Sequence, residues 1–184
     1  MRTLKKVALA GICCCSLLLP AMSGWAAEYL PTPQAVGAEV APWVAIRNAK
    51  QPFPGILTGG QPTDEQLIMA AKLGIKTVIN LRSEKENAGG NEVGKVTLLK
   101  MNYLSIPISG AAGVNEENSQ RLAEALSDPA LYPVMVHCAS GNRVGALFAL
   151  DANKRLGLSK VEAMEVGKRA GLTSLESLVN GMLD

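Results

Sequence analysis

The sequence predicts an α/β domain with a mostly parallel central sheet flanked by helices. Three observations predict it. From Ile56 onward, short apolar or β-branched runs alternate with segments of helical spacing, the order that a parallel sheet with crossover helices requires. Two of those runs, Lys76–Leu81 and Tyr132–Val136, are dominated by β-branched and apolar residues, as strands buried inside a sheet are. The 184 residues are 48% apolar and only 4% aromatic, enough for one compact domain with an aliphatic, alanine-rich core.

The elements follow in order. Residues 27–54 carry Pro31, Pro33, Pro42, Pro52 and Pro54 with little periodicity, and read as an extended arm with one short helix near Val44. The folded domain is expected over 55–184. Ile56–Leu57–Thr58 is a short strand, and Gly59–Gly60–Gln61–Pro62 is its turn. Thr63 with Gln66 three residues later is a capping-box signature, Leu67, Ala70 and Ala71 keep helical spacing, and Gly74 ends the helix. Lys76–Leu81 is a strand, Ser83–Gly90 a charged loop, Glu92–Met101 a helix and Tyr103–Ile108 a strand. The small-residue loop Ser109–Gly113 leads to Asn115, which caps a helix through Leu126. A strand over Tyr132–Val136 ends at His137 and Cys138, and Arg143 opens a helix to about Leu156. Helices near Ser159–Ala170 and Ser174–Leu183 complete the chain.

The first 26 residues read as a signal peptide. Arg2, Lys5 and Lys6 precede an apolar run from Val7 to Leu19, Pro20 breaks it, and cleavage after Ala26 places Gly24 and Ala26 at the two small positions. The run is shorter than the roughly 20 residues of a membrane-spanning helix. Cys13, Cys14 and Cys15 offer lipidation as an alternative, which bulky Ile12 before the first of them disfavours. A periplasmic or secreted location is the expectation. Without the leader, 15 basic and 16 acidic residues remain, so no basic surplus points to nucleic acid. One cysteine remains, Cys138, beside the chain's one histidine, His137. These are too few for a usual zinc site, and no metal or cofactor is expected.

Chemistry concentrates in His137-Cys138-Ala139-Ser140-Gly141-Asn142-Arg143, where a strand ends, a glycine-containing loop turns and a helix begins. Such a loop can aim successive backbone N–H groups at an oxyanion, and Gly141 permits a positive φ. The helix N-terminus favours negative charge, phosphate or thiolate alike. Arg143 can grip two phosphate oxygens in a planar fork, and a cation at a helix N-terminus suggests an anionic partner. Taken singly, Cys138 is as well explained by core packing, Gly141 by a turn and His137 by a structural hydrogen bond. Together they point to a nucleophile over a dianion site.

His-Cys, a glycine loop and arginine resemble the signature of cysteine-dependent protein tyrosine and dual-specificity phosphatases. The sequence is more similar to the bacterial beta-lactamase-hydrolase-like family. That likeness is carried by Leu57-Thr58-Gly59-Gly60-Gln61-Pro62, by Gly74 to Arg82, by the cysteine loop and by Ala170-Gly171-Leu172-Thr173. The resemblance implies a phosphatase-like fold and a phosphatase acting on a phosphorylated protein or small phosphoester. It makes Cys138 the nucleophile of a phosphocysteine, and it assigns phosphate binding to Ala139, Ser140, Gly141, Asn142 and Arg143, with His137 in support. Three features depart from the wider pattern. Four residues separate cysteine from arginine, Val144 stands where a hydroxyl residue usually follows, and the loop Ser109–Asn115 holds no acid. Glu116 and Glu117 come next, in a first helical turn where acids commonly serve the dipole. A rhodanese-like sulfurtransferase carrying a Cys138 persulfide is the second reading, and a non-catalytic oxyanion-binding module the third.

Overall fold

The computed structural model describes residues 44–184. The leader, its cleavage point and residues 27–43 of the arm lie outside the described residues. The strands are β1 (Lys50–Phe53), β2 (Ile56–Gly59), β3 (Thr77–Arg82), β4 (Asn102–Ile108) and β5 (Val134–His137). The helices are α1 (Asp64–Lys72), α2 (Glu84–Asn87), α3 (Glu92–Leu98), α4 (Glu116–Leu126), α5 (Asn142–Lys154), α6 (Lys160–Arg169) and α7 (Glu176–Asn180).

The sheet order is β1-β2-β5-β3-β4. β2, β5, β3 and β4 run parallel, and β1 pairs antiparallel with β2 at one edge. Alternate residues of each strand face opposite ways and so divide the core in two. Ile56, Ile79, Val134 and Val136 pack on one face with Leu122, Leu147, Ala163, Val166 and Val179 from α4 to α7. Leu57, Val78 and Met135 pack on the other with Leu67 and Ala70 of α1 and Val96 of α3. Helices on both faces leave the inner strands fully covered, which is why their sequences do not alternate.

Two local rules act as the sequence predicts. Thr63 and Gln66 form a reciprocal capping box at α1, and Asn115 accepts the Asn118 amide at the start of α4. Helix α5 is buried along its first eleven residues, 142–152, because it lies against both α4 and α6. Its small residues allow the close approach. A Cβ on Gly145 would stand 2.0 Å from the Leu172 amide nitrogen and 2.6 Å from the Gly167 carbonyl oxygen.

The fold differs from the sequence reading in two places. Residues 44–54 do more than form an arm: β1 joins the sheet, and Val44, Ile46 and Phe53 are buried. Pro52 is tolerated there because β1 is an edge strand. The charged segment Ser83–Gly90 is not wholly loop, since Ser83 and Glu86 close a capping box around the single turn α2. No helix of the described residues is long and apolar enough to cross a membrane.

Candidate active site

Cys138 directly follows β5, and α5 starts at Asn142, so residues 138–141 form the turn between them. Gly141 is the N-cap of α5, with φ +87 and no side-chain cap. The first-turn amides of α5 therefore keep the helix terminus's preference for an anion. The Gly141 amide donates to Cys138 Sγ at 3.2 Å. At the other end of that same peptide unit, the Ser140 carbonyl accepts from Asn48 Nδ2 at 3.2 Å. A planar trans peptide directs its two ends oppositely, so Asn48 turns the Gly141 N–H toward the sulfur. The Ala139 carbonyl is likewise taken by the Gln61 backbone N–H at 3.4 Å, which turns the Ser140 N–H the other way.

Asn48 lies 92 residues before the carbonyl it holds and also donates to the Gly171 carbonyl at 2.9 Å. It links the loop to the Ala170–Thr173 segment. Asn142 makes a second link there, accepting the Thr173 amide at 2.8 Å and donating to Ser174 Oγ at 2.6 Å. The Asn142 side chain is thus engaged within the fold, and only its backbone remains for an anion. Ala139 is exposed and Ser140 half-buried, whereas Cys138 is 0% exposed.

Arg143 turns inward. Its guanidinium forms a fork with Glu86, at 2.8 Å from Nη1 to Oε2 and 2.6 Å from Nη2 to Oε1, and Nη1 also donates to the Ile108 carbonyl at 2.5 Å. Burial opposes the charge, but the bonds to Glu86, aided by the nearby Cys138 sulfur, push Arg143 further up. Hydrogen bonds from Arg143, with smaller contributions from Ser83, hold the Glu86 carboxyl down to about 2 against burial. The pair is ionised at neutral pH, and the guanidinium is fixed before any ligand arrives.

His137 is wholly buried, and its Nε2 lies 3.2 Å from Glu92 Oε1 without hydrogen-bond alignment. Glu92 also accepts from Gln61 Nε2 at 2.8 Å and from Asn80 Nδ2 at 2.5 Å. Burial pushes Glu92 up, and His137, Gln61 and Asn80 outweigh it, so the carboxyl sits below its usual range. Neither Glu86 nor Glu92 is a proton donor at neutral pH. Glu116 and Glu117 are exposed at the start of α4. Among the described residues no cluster of three or more His, Cys, Asp or Glu is placed to hold a metal.

The fold places the candidate residues Cys138, His137 and Arg143 together around the loop 138–141, as the sequence order requires. The sequence reading missed Glu86, Glu92 and Asn48. A signal for Glu86 exists in Ser83-x-x-Glu86, the same capping pattern that revealed α1.

The chain is similar to several known proteins. A beta-lactamase hydrolase-like protein from Xylella fastidiosa is 31% identical over 111 residues, covering 57% of this chain and 25% of its own length. This chain therefore spans a quarter of that relative. The core catalytic domain of the PP-IP phosphatase Siw14 from S. cerevisiae, solved with citrate, superposes with a TM-score of 0.58 at 19% identity, covering 76% of this chain and 87% of that one. P. aeruginosa TpbA, solved with pTyr, gives 0.52 at 19%, covering 82% and 89%. At such identities these structures establish the shared fold. Residues 46–169 match the family described as "DSP-PTPase phosphatase fused to NAD+ Kinase". The chain belongs to this family and shares the fold of these phosphatases.

Proposed function

We propose that the chain is an exported phosphatase that cleaves phosphate monoesters through a phosphocysteine on Cys138. The observation that carries this reading is the Ser140–Gly141 peptide. Its N–H meets Sγ at 3.2 Å beside the uncapped start of α5, with the Arg143 fork fixed by Glu86 at the far side of the loop. In the first step the Cys138 thiolate attacks phosphorus and the P–O bond to the leaving group breaks. The loop amides and Arg143 take the phosphoryl oxygens, replacing part of the charge that water would have solvated. In the second step water attacks phosphorus, the P–S bond breaks, and inorganic phosphate leaves with the thiolate restored. The family favours this cycle over persulfide chemistry at the same cysteine.

The departing oxygen draws its proton from solvent. Ser109–Asn115 has no acid, and Glu86 and Glu92 are both ionised. General acid catalysis is worth about 10²–10⁴-fold, and that factor is lost where the leaving group is a poor one. Aryl phosphates are therefore better substrates than alkyl phosphates. The pTyr held by TpbA is an aryl phosphate, in line with that order.

The test is hydrolysis of an aryl phosphate and an alkyl phosphate by the wild type and Cys138→Ser, with iodoacetamide labelling of Cys138 followed by mass spectrometry. Cys138 has no exposed surface, so attack requires its cover to open, and native protein must label. The expected result is labelling, aryl turnover well above alkyl turnover, and a loss of at least about 10³-fold in Cys138→Ser. Retained turnover in that variant, or a native thiol that never labels, removes the phosphocysteine.

A further inference from the structure

Gln61 belongs to the Gly-Gly-Gln-Pro turn after β2, and nothing in the proposed reaction uses its side chain. That side chain nevertheless joins the two residues that bracket the cysteine loop. On one side, Gln61 Oε1 accepts from Arg82 Nη1 at 2.7 Å. Arg82 Nη2 donates to the Glu86 carbonyl, and the Glu86 carboxylate forks onto Arg143. On the other side, Gln61 Nε2 donates to Glu92 Oε1 at 2.8 Å, and that same oxygen lies 3.2 Å from His137 Nε2. The Gln61 backbone N–H holds the loop itself, at the Ala139 carbonyl.

We infer that Gln61 is a positioning residue, a junction that sets Arg143 and His137 together for the reaction at Cys138. This inference rests on the phosphocysteine reading above. The donor and acceptor chemistry leaves little freedom in the choice of side chain. A guanidinium only donates and an ionised carboxylate only accepts. The residue between Arg82 and Glu92 must therefore offer one acceptor and one donor on a single rigid plane. A primary amide does so. Glutamate at this position would still accept from Arg82 but would set a second carboxylate against Glu92 across the present 2.8 Å contact. An alanine would detach both arms.

The experiment is a double-mutant cycle on aryl phosphate hydrolysis with Gln61→Glu, Glu92→Gln and the pair combined. Melting temperatures are measured on the same samples. In Gln61→Glu we expect kcat/KM to fall about tenfold or more, because the like charges push the two arms apart. In the combined variant a Gln amide at position 92 can again donate to the carboxylate at 61. The second substitution should therefore recover activity in the Gln61→Glu background while lowering it in the wild type. A residue acting only on stability would show that reversal in melting temperature but no loss of kcat/KM in samples assayed well below each melting point. Gln61→Ala, which adds no charge, guards against a Gln61→Glu protein that does not fold, and should also lose about tenfold. The inference is overturned if folded Gln61→Glu or Gln61→Ala stays within about twofold of the wild type, or if the two losses simply add. If the wild type lacks turnover or Cys138→Ser retains it, the reading beneath fails and the inference falls with it. A working wild type with additive losses sinks the Gln61 junction alone.

Discussion

On the proposed reading, Glu86 decides how Arg143 meets a phosphate. A free arginine would have to surrender rotamer freedom when it binds, at a cost approaching about 2 kcal/mol, whereas this one is already held by two short bonds. Glu86→Gln keeps the shape and removes the charge, and is expected to weaken both inhibition by inorganic phosphate and kcat/KM. The same pair has a pH signature. The Glu86 carboxyl is depressed from its ordinary 4.5 to about 2, so its contribution to stability is complete above about pH 5 and disappears as the pH falls toward 2. The Glu86 side chain is 32% exposed, so solvent screening keeps that contribution modest. Acid unfolding should show the wild type and Glu86→Gln separated at pH 7 and converging near pH 2. A constant gap across that range would place the effect elsewhere. Cys138 and Arg143 were legible because strand, glycine turn and helix write their chemistry into consecutive residues. Glu86 was not, because its role is made by a contact 57 residues away, and a run of charges around glycines reads the same whether solvated or docked.

Among the elements, α5 carries the most constraint. Its N-terminus presents the loop, and its body is pressed between α4 and α6 where only Gly145 fits against Leu172 and Gly167. Gly145→Ala would need a backbone shift, with an overpacking cost of about 3 kcal/mol and a melting temperature lower by roughly 10 °C, readable by calorimetry. A change of only a degree or two would mean that α5 and α6 part easily. Helix α5 itself was plain from the spacing of Ala146, Leu147 and Leu150. Its neighbour across Gly145 was not, since periodicity marks a buried face without saying what covers it. β1 was hidden for another reason. Pro52 and Pro54 make an edge strand look like irregular chain, and pairing with β2 is a tertiary event.

Across the whole molecule, the parallel order of β2, β5, β3 and β4 places the carboxyl ends of β2, β3 and β5 together, and Gln61, Arg82 and Cys138 sit at or just beyond those ends. The class of fold was legible from alternation alone, while the strand order needed pairing that no local pattern contains. The proposed export concerns the part of the chain before the described residues. Expressed with its leader in a bacterium, the protein is expected in the periplasmic fraction or the medium, with Ala27 as first residue by N-terminal mass spectrometry. A protein that stays in the cytoplasm with Met1 intact would refute export and leave the fold and family untouched.

The bond from Asn48 to Ser140 carries a consequence for how such a loop can fail. A peptide plane is two-headed, and turning it over exchanges a donor for an acceptor without altering a single contact residue. Should the Asn48 amide let go, the Ser140 oxygen would be free to swing to the side that now offers the Gly141 hydrogen, and the pocket would repel the anion it is built to welcome. On the proposed reading, the sign of the site's charge preference is thus entrusted to a side chain 92 residues earlier in the sequence.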